Sequence, residues 1–162
     1  MIDGDAGLPE AVIAAARDRS ATIATAESVT GGLVCATLVR VPGASDVVRG
    51  GVVAYAADVK VSALGVPADL VERVGTVNHG VARAMAEGAR ERLRATHAVS
   101  TTGVAGPDPS EGHPVGTVHV AVAGPSGVVD RAYSFDGDRQ AVRRQACQAA
   151  LDLLAAALAD TG

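Results

Sequence analysis

Residues 25–32, with the sequence Thr-Ala-Glu-Ser-Val-Thr-Gly-Gly, combine hydroxyl groups with glycines in a pattern that suits nucleophilic chemistry. The segment sets two hydroxyls, Ser28 and Thr30, ahead of Gly31 and Gly32. A serine hydroxyl attacks a carbonyl carbon when a base lies beside it, and glycine lets backbone N–H groups come close to an anion. The alternative interpretation is an ordinary helix N-cap, in which Ser28 or Thr30 accepts hydrogen bonds from the first helical amides.

Two further segments carry side chains of interest. Residues 101–106 read Thr-Thr-Gly-Val-Ala-Gly and again set hydroxyls beside glycines, with Thr102 and Gly103 at the centre. A tight turn would use the same residues. Tyr55 and Lys60 follow another predicted strand, although an isolated tyrosine and lysine usually mark the edge of the core and a solvated side chain.

Two arginines near the start of the last predicted helix are candidates for anion binding. Arg139 lies in the first helical turn, where the macrodipole disfavours a cation, so a bound anion nearby would explain its position. Asp136 and Asp138 could equally neutralise it. Arg143 lies one turn further along, on the same, outward face.

Several chemistries are excluded by missing patterns. The chain has no G-x-G-x-x-G and no G-x-x-x-x-G-K-[ST], so the phosphate loops of dinucleotide-binding and P-loop proteins are absent. The serine patterns G-x-S-x-G and S-x-x-K are also absent. The four histidines show no metal-ligand spacing, and we predict neither a metal nor a cofactor; they are His79, His97, His113 and His119.

The composition predicts one globular domain over residues 1–162. Of these residues 48% are hydrophobic and 20% are charged, which is atypical of a disordered chain. Because there is no Trp, one Phe and only two Tyr, the core must consist of Ala, Val and Leu in closely approaching layers. Cys35 and Cys147 stand apart and are expected to be buried hydrophobes rather than disulfide or zinc ligands.

Charge and hydropathy limit the classes of partner that this protein is expected to bind. The formal charge of −4 and the lack of a Lys/Arg run argue against nucleic acid and against an anionic membrane surface. No apolar stretch reaches about 18 residues, and the first five residues lack the order of a signal peptide. We therefore expect a cytoplasmic protein.

Hydrophobic periodicity predicts the elements that position the three segments. Helices are expected at residues 8–19, 33–41, 56–64 and 138–158, with another capped by Asn78; strands are expected at 21–25, 47–55, 97–101, 115–123 and 128–135. The last two strands form a hairpin, whereas helices and strands alternate earlier in the chain. This order predicts an α/β fold, a three-layer α/β/α sandwich with a mixed β-sheet. In such sheets ligands bind beyond the carboxyl ends of strands, where all three segments fall. The polar loop at residues 108–114 is predicted to be mobile.

The motifs resemble a known family when they are taken in order along the chain. Residues 25–32, 41–45, 50–55 with Lys60, 75–77, 102–107, 114–118 and 137–139 match the CinA C-terminal domain family over a core of about residues 8–158. This family includes the PncC-like nicotinamide-nucleotide amidases, which hydrolyse the carboxamide of nicotinamide mononucleotide to nicotinate mononucleotide and ammonia. The resemblance implies a role in NAD salvage. Longer CinA proteins carry an additional N-terminal domain, for which this chain is expected to have no room.

The resemblance also implies roles for individual residues. Ser28 would be the nucleophile and Lys60 its base, with Tyr55 beside it. A lysine is a base only when neutral, so burial or a nearby cation must lower its pKa. The residues implied in binding the substrate, its phosphate or the oxyanion are Thr30, Gly31, Gly32, Thr102, Gly103, Arg139 and Arg143.

Two departures from the family pattern leave alternatives open. Val29 replaces a cysteine common after the serine, and Asn78 replaces a frequent serine, either as an exchange of helix caps or with a change of specificity. Besides an amidase of nicotinamide mononucleotide, the chain could be a non-catalytic nucleotide- or partner-binding module, or a hydrolase of another small amide or ester. An exposed sheet edge or apolar helix face in so small a sandwich favours a homo-oligomer.

Overall fold

A computed structural model describes residues 7–160, which form six α-helices, five strands and a 3-10 turn. The first five residues, from which we predicted that there is no signal peptide, lie outside this range. The helices are α1 (Leu8–Asp18), α2 (Leu33–Val39), α3 (Ala57–Leu64), α4 (Ala68–Val74), α5 (His79–Arg92) and α6 (Arg139–Ala159). The strands are β1 (Ile23–Glu27), β2 (Val48–Val53), β3 (His97–Gly103), β4 (Thr117–Gly124) and β5 (Gly127–Ser134), and the 3-10 turn is Ala44–Asp46.

The five strands form one mixed sheet in the order β2-β1-β3-β4-β5. Strand β1 runs parallel to both β2 and β3, whereas β4 and β5 form the predicted hairpin and pair antiparallel. The register aligns Glu27 with Val53 on one side and with Thr101 on the other. The carboxyl ends of the three parallel strands therefore meet at one edge of the sheet.

Helices cover both faces of the sheet, which confirms the predicted three-layer α/β/α sandwich. Helices α1, α2 and α6 pack together over one face, against apolar side chains such as Val120 and Val122. Helices α3, α4 and α5 cover the other face, where Ala82 and Ala86 of α5 contact Ala121 of β4. Small side chains thus line the contact with α5, as the composition predicted. Cys147 is buried and Cys35 partly buried, and both are free thiols.

Two element boundaries and one helix show how well local patterns predict structure. Asn78 caps α5 as predicted, because the Val81 N–H donates to its Oδ1 at 2.9 Å. Strand β1 lies two residues later than predicted and ends on Glu27, a buried carboxylate that hydrophobic periodicity could not assign to a strand. Helix α4 was not predicted, since it buries none of its residues fully and so has little apolar signal.

None of the helices within residues 7–160 is both long and apolar enough to cross a membrane.

A glycine at the contact between α3 and α5 lets the two helices approach closely. Gly88 of α5 is buried, and a Cβ at this position would overlap the carbonyl oxygen of Leu64 at the end of α3. We expect Gly88→Ala to lower the free energy of unfolding by about 2 kcal/mol, because the overlap outweighs the gain in helix propensity. Chemical denaturation measures this loss. Glu87→Ala, at the exposed neighbouring position, is the control and should change stability by less than about 0.5 kcal/mol; equal stability of the two variants would contradict the packing argument.

Candidate active site

Ser28 lies directly after the last residue of β1, at the edge where the parallel strands end. Its N–H donates to the carbonyl oxygen of Thr101 at 2.9 Å, so the pairing between β1 and β3 continues one residue beyond the strand. The residue is 8% exposed. The sheet therefore fixes the backbone of Ser28 while leaving its side chain a narrow access to solvent.

Lys60 points from α3 into the protein and contacts Ser28. Lys60 is 1% exposed, so the interpretation of this residue as a solvated surface lysine is wrong. The Nζ atom lies 2.9 Å from Ser28 Oγ, 2.8 Å from the carbonyl oxygen of Ala54 and 3.1 Å from that of Tyr55. Serine and lysine, separated in sequence, thus form one hydrogen-bonded pair.

The surroundings of Lys60 favour a neutral amine. Removal from water lowers the pKa of Lys60, and the negative charge of Glu111 offsets this only in part. A neutral amine has two N–H bonds and one lone pair. With the Ala54 and Tyr55 carbonyls accepting the two N–H groups, the lone pair can face the Ser28 hydroxyl, which is the arrangement that a base requires.

Glu27 holds the loop between Ser28 and α2, a role that the sequence did not predict. Its carboxylate is 1% exposed. It accepts hydrogen bonds from the Thr30 hydroxyl at 2.6 Å and from the N–H groups of Gly32, Val34 and Cys35 at 3.0, 3.0 and 2.8 Å. An acidic residue shortly before a helix is the sequence signal that could have indicated it, because carboxylates stabilise helix N-termini.

Glu111 ties the polar loop at residues 108–114 to the opposite wall of the site. Its carboxylate accepts bonds from the Thr76 N–H at 2.8 Å, the Thr76 hydroxyl at 3.0 Å and the Val77 N–H at 3.0 Å. Burial raises the pKa of Glu111, but these hydrogen bonds and the nearby His113 together outweigh burial and leave its pKa below the usual value. Glu111 anchors this loop through these hydrogen bonds. The mobility that the composition of the loop indicates stays a prediction.

A pocket of about 220 Å³ opens beside Ser28. Arg139 stands on its rim and donates to the Tyr55 hydroxyl at 2.9 Å and to the Gly106 carbonyl at 2.6 Å. The pocket is lined by residues from the three segments that the sequence singled out, from the loops at 76–77 and 108–110, and from the start of α6. These residues are Ser28, Val29, Tyr55, Thr76, Val77, Gly103, Val104, Ala105, Gly106, Asp108, Ser110 and Arg139.

Four predicted site residues reach the pocket wall, namely Ser28, Tyr55, Gly103 and Arg139, and Lys60 lies directly behind Ser28. Tyr55 meets Lys60 only through its main-chain carbonyl. The residue is 63% exposed at the rim, and its hydroxyl is bonded to Arg139.

The other predicted binding residues lie behind the wall, where they support it. The Thr30 hydroxyl bonds to Glu27 and to Thr101, and the Thr102 hydroxyl donates to the Thr76 carbonyl.

The two glycines after Ser28 use their amides inside the loop. The N–H of Gly31 donates to the Ser28 carbonyl at 3.1 Å, and that of Gly32 to Glu27. The sequence had suggested that one of these amides stabilises an oxyanion, but neither N–H is free to do so.

The helical position of Arg143 predicted that its side chain points outward, but in the structure it does not. Its side chain folds back onto the Ser28 loop and donates to the carbonyl oxygens of Val29 at 3.3 Å and Thr30 at 2.9 Å. Helical periodicity gives the face of a residue, but a long arginine side chain reaches beyond that face.

No group of three or more His, Cys, Asp or Glu side chains in the described range is placed to hold a metal ion.

Comparison with known proteins gives relatives that match almost the whole chain. Residues 5–158 match the model of the CinA C-terminal domain. A CinA-like protein of Frankia casuarinae is 50% identical over 155 residues, which are 96% of this chain and 36% of that protein. A CinA-like protein of Anaeromyxobacter sp. strain K is 51% identical over 157 residues, which are 96% of this chain and 38% of that protein. The chain thus spans little more than a third of the length of these relatives.

Solved structures have the same fold. The competence/damage inducible protein CihA from Agrobacterium tumefaciens superimposes with a TM-score of 0.90 at 35% identity, covering 99% of this chain and 100% of that one. The competence damage-inducible protein A from Klebsiella pneumoniae gives a TM-score of 0.92 at 29% identity, with 96% of this chain and 97% of that one covered. Together with the match over residues 5–158, these likenesses establish that the chain belongs to the CinA C-terminal domain family.

Proposed function

We propose that this protein is a nicotinamide-nucleotide amidohydrolase that cleaves the carboxamide of nicotinamide mononucleotide through a serine nucleophile. The observation that carries the proposal is the contact of 2.9 Å between Lys60 Nζ and Ser28 Oγ at the base of a pocket. Serine paired with lysine is a known variant of the catalytic triad, and the lowered pKa of Lys60 suits a base. The substrate follows from the family resemblance.

The reaction runs through an acyl-enzyme. Ser28 Oγ attacks the carboxamide carbon as its proton passes to Lys60 Nζ, which gives a tetrahedral oxyanion. Lys60 then returns the proton to the amide nitrogen, the C–N bond breaks and ammonia leaves, with the nicotinoyl group as an ester on Ser28. Water attacks this ester as Lys60 takes its proton, and the acid is released while Ser28 is re-protonated.

Two backbone N–H groups suit the oxyanion. Val29 and Ala105 both line the pocket, and among residues 7–160 neither main-chain N–H has an acceptor. The N–H of the residue after a serine nucleophile is a recurrent oxyanion donor. The Ser28 N–H itself is occupied by Thr101, so Val29 is the nearest free donor along the chain.

The size and charge of the pocket support a nicotinamide nucleotide. A volume of 220 Å³ is below the roughly 300–1,000 Å³ usual for whole small-molecule ligands, so it suits the ring and carboxamide, with ribose and phosphate at the mouth. Arg139 at the rim complements a phosphate. Asp108 in the lining complements the positive charge of a pyridinium ring.

Several expectations from the sequence stay predictions. They are the extent of the domain over residues 1–162, the cytoplasmic location, the role in NAD salvage, the homo-oligomeric state, and the absence of nucleic-acid and membrane partners. Strands β2 and β5 are the two edges of the sheet available for self-association.

Removal of the Ser28 hydroxyl tests the nucleophile. We expect Ser28→Ala to lower the rate of ammonia release from nicotinamide mononucleotide by at least about 10³-fold, because no acyl-enzyme can form. Ser62→Ala, at an exposed position on α3, should keep the rate of the unmodified protein. Full activity of Ser28→Ala would refute the assignment. Tight binding of the nucleotide by the unmodified protein without ammonia release would favour a binding module, and faster hydrolysis of other amides would favour a different substrate.

The pH dependence of the reaction tests Lys60 as the base. Since only the neutral amine accepts a proton, kcat/KM should rise with pH and level off, with a midpoint below the ordinary lysine pKa of 10.5. Lys60→Met should lower kcat/KM by at least about 100-fold. Glu111→Gln removes the negative charge that raises the pKa of Lys60, so its midpoint should move to lower pH. A midpoint that moves to higher pH in Glu111→Gln would contradict this assignment.

A further inference from the structure

We propose that Arg143 and Glu27 are positioning residues that hold the nucleophile loop, residues 28–32, from two sides. The inference deepens the proposed function and rests on Ser28 as its nucleophile. It assigns Arg143 to the loop rather than to the phosphate of the substrate. Neither side chain lines the pocket; both act through Ser28 and the residues after it.

Arg143 uses all three of its guanidinium nitrogens within the protein. Nε donates to the Val29 carbonyl at 3.3 Å, one Nη to the Thr30 carbonyl at 2.9 Å and the other to Gln140 Oε1 at 3.1 Å. The fixed fork of a guanidinium can bridge two successive carbonyls, which a single ammonium cannot do with the same geometry. A phosphate would have to compete with these three bonds.

The Arg143 contacts fix the direction of the peptide units after Ser28. In a trans peptide the C=O and the following N–H point in opposite directions. By holding the Val29 and Thr30 carbonyls, Arg143 thus also orients the N–H groups of Thr30 and Gly31. The Gly31 N–H donates to the Ser28 carbonyl at 3.1 Å, so the alignment passes to the nucleophile itself.

Glu27 holds the same loop through hydrogen-bond donors. Its two carboxylate oxygens accept four bonds, three of them at Oε2 from Thr30, Gly32 and Val34 and one at Oε1 from Cys35. Because every partner is a donor, an amide in place of the carboxylate would turn an NH₂ group toward other donors. The loop is thus held at its carbonyls by a cation and at its donors by an anion.

Gly31 brings the backbone of the loop close to the Arg143 side chain. Its φ of +59° lies in the left-handed region, and a Cβ there would come within 3.4 Å of an Nη atom of Arg143. The turn therefore brings its backbone against the guanidinium where glycine is conformationally favoured.

Two substrates that differ only in the phosphate separate positioning from phosphate binding. We expect Arg143→Ala to lower kcat by roughly 10- to 100-fold for both nicotinamide mononucleotide and nicotinamide riboside, since a misplaced nucleophile slows both equally. The ratio of their kcat/KM values should stay that of the unmodified protein. The matched control is Arg144→Ala, at the exposed neighbouring position on α6, which should leave kcat and KM unchanged. A selective rise in KM for the mononucleotide with kcat unchanged would overturn the inference in favour of phosphate binding. If Arg143→Ala does not fold, Arg143→Lys, which keeps the charge without the fork, is measured in the same way and should show the same pattern with a smaller loss.

Glu27→Gln gives a second measurement that does not depend on the substrate. We expect Ser28 in this variant to react at least about 10-fold more slowly with a serine-directed fluorophosphonate, because the loop loses its acceptor. Circular dichroism verifies that the variant is folded. If the unmodified protein reacts with the probe but releases no ammonia from the mononucleotide, the proposed substrate fails while the positioning role is still tested by the probe. Equal labelling of Glu27→Gln, or no labelling of Ser28 in the unmodified protein, would overturn the inference.

Discussion

The hydrogen bond between the buried amine of Lys60 and the hydroxyl of Ser28 is the interaction on which the site depends. A lysine that is 1% exposed carries a large desolvation penalty as a cation, and it is tolerated because each of its hydrogen-bonding positions has a partner. The carbonyls of Ala54 and Tyr55 take two of these positions and leave the third for Ser28. The same burial that lowers the pKa of Lys60 therefore favours the neutral amine that the proposed chemistry needs.

To form this pair, the sheet must bring the segment of Ser28 and the segment of Lys60 within hydrogen-bonding distance of each other. Ser28 is fixed by continued pairing of β1 with β3, and the carbonyls around Lys60 are fixed because the Ala54 N–H donates to the Glu27 carbonyl at 2.9 Å. Parallel strands that end in register bring both segments to one edge. The small side chains beneath α5, and the glycine where α3 crosses it, let the helix that carries Lys60 approach closely.

The side chains around the proposed nucleophile, Ser28, lie in complementary surroundings. Glu27 sits among donors, whereas Lys60 and Arg143 face carbonyl oxygens. The carboxylate of Glu27 and the guanidinium of Arg143 are thus met chiefly by backbone dipoles rather than by an opposite charge. Fixed dipoles of this kind would change little as charge develops during the proposed reaction, which is the condition for electrostatic preorganisation.

Sequence alone determined the fold class, most element positions, the Asn78 cap and the family, because these follow from periodicity, local capping chemistry and ordered motifs. It could not decide whether Ser28 was a helix cap or a nucleophile, since both use the same local residues. Only the tertiary structure showed that the side chains of Glu27 and Arg143 contact the loop after Ser28. A buried carboxylate has no periodic signal, and a long arginine side chain can fold away from its helical face. Contact between Ser28 and Lys60 depends on the register of β1 with its neighbours and on the packing of α3, which no local pattern encodes.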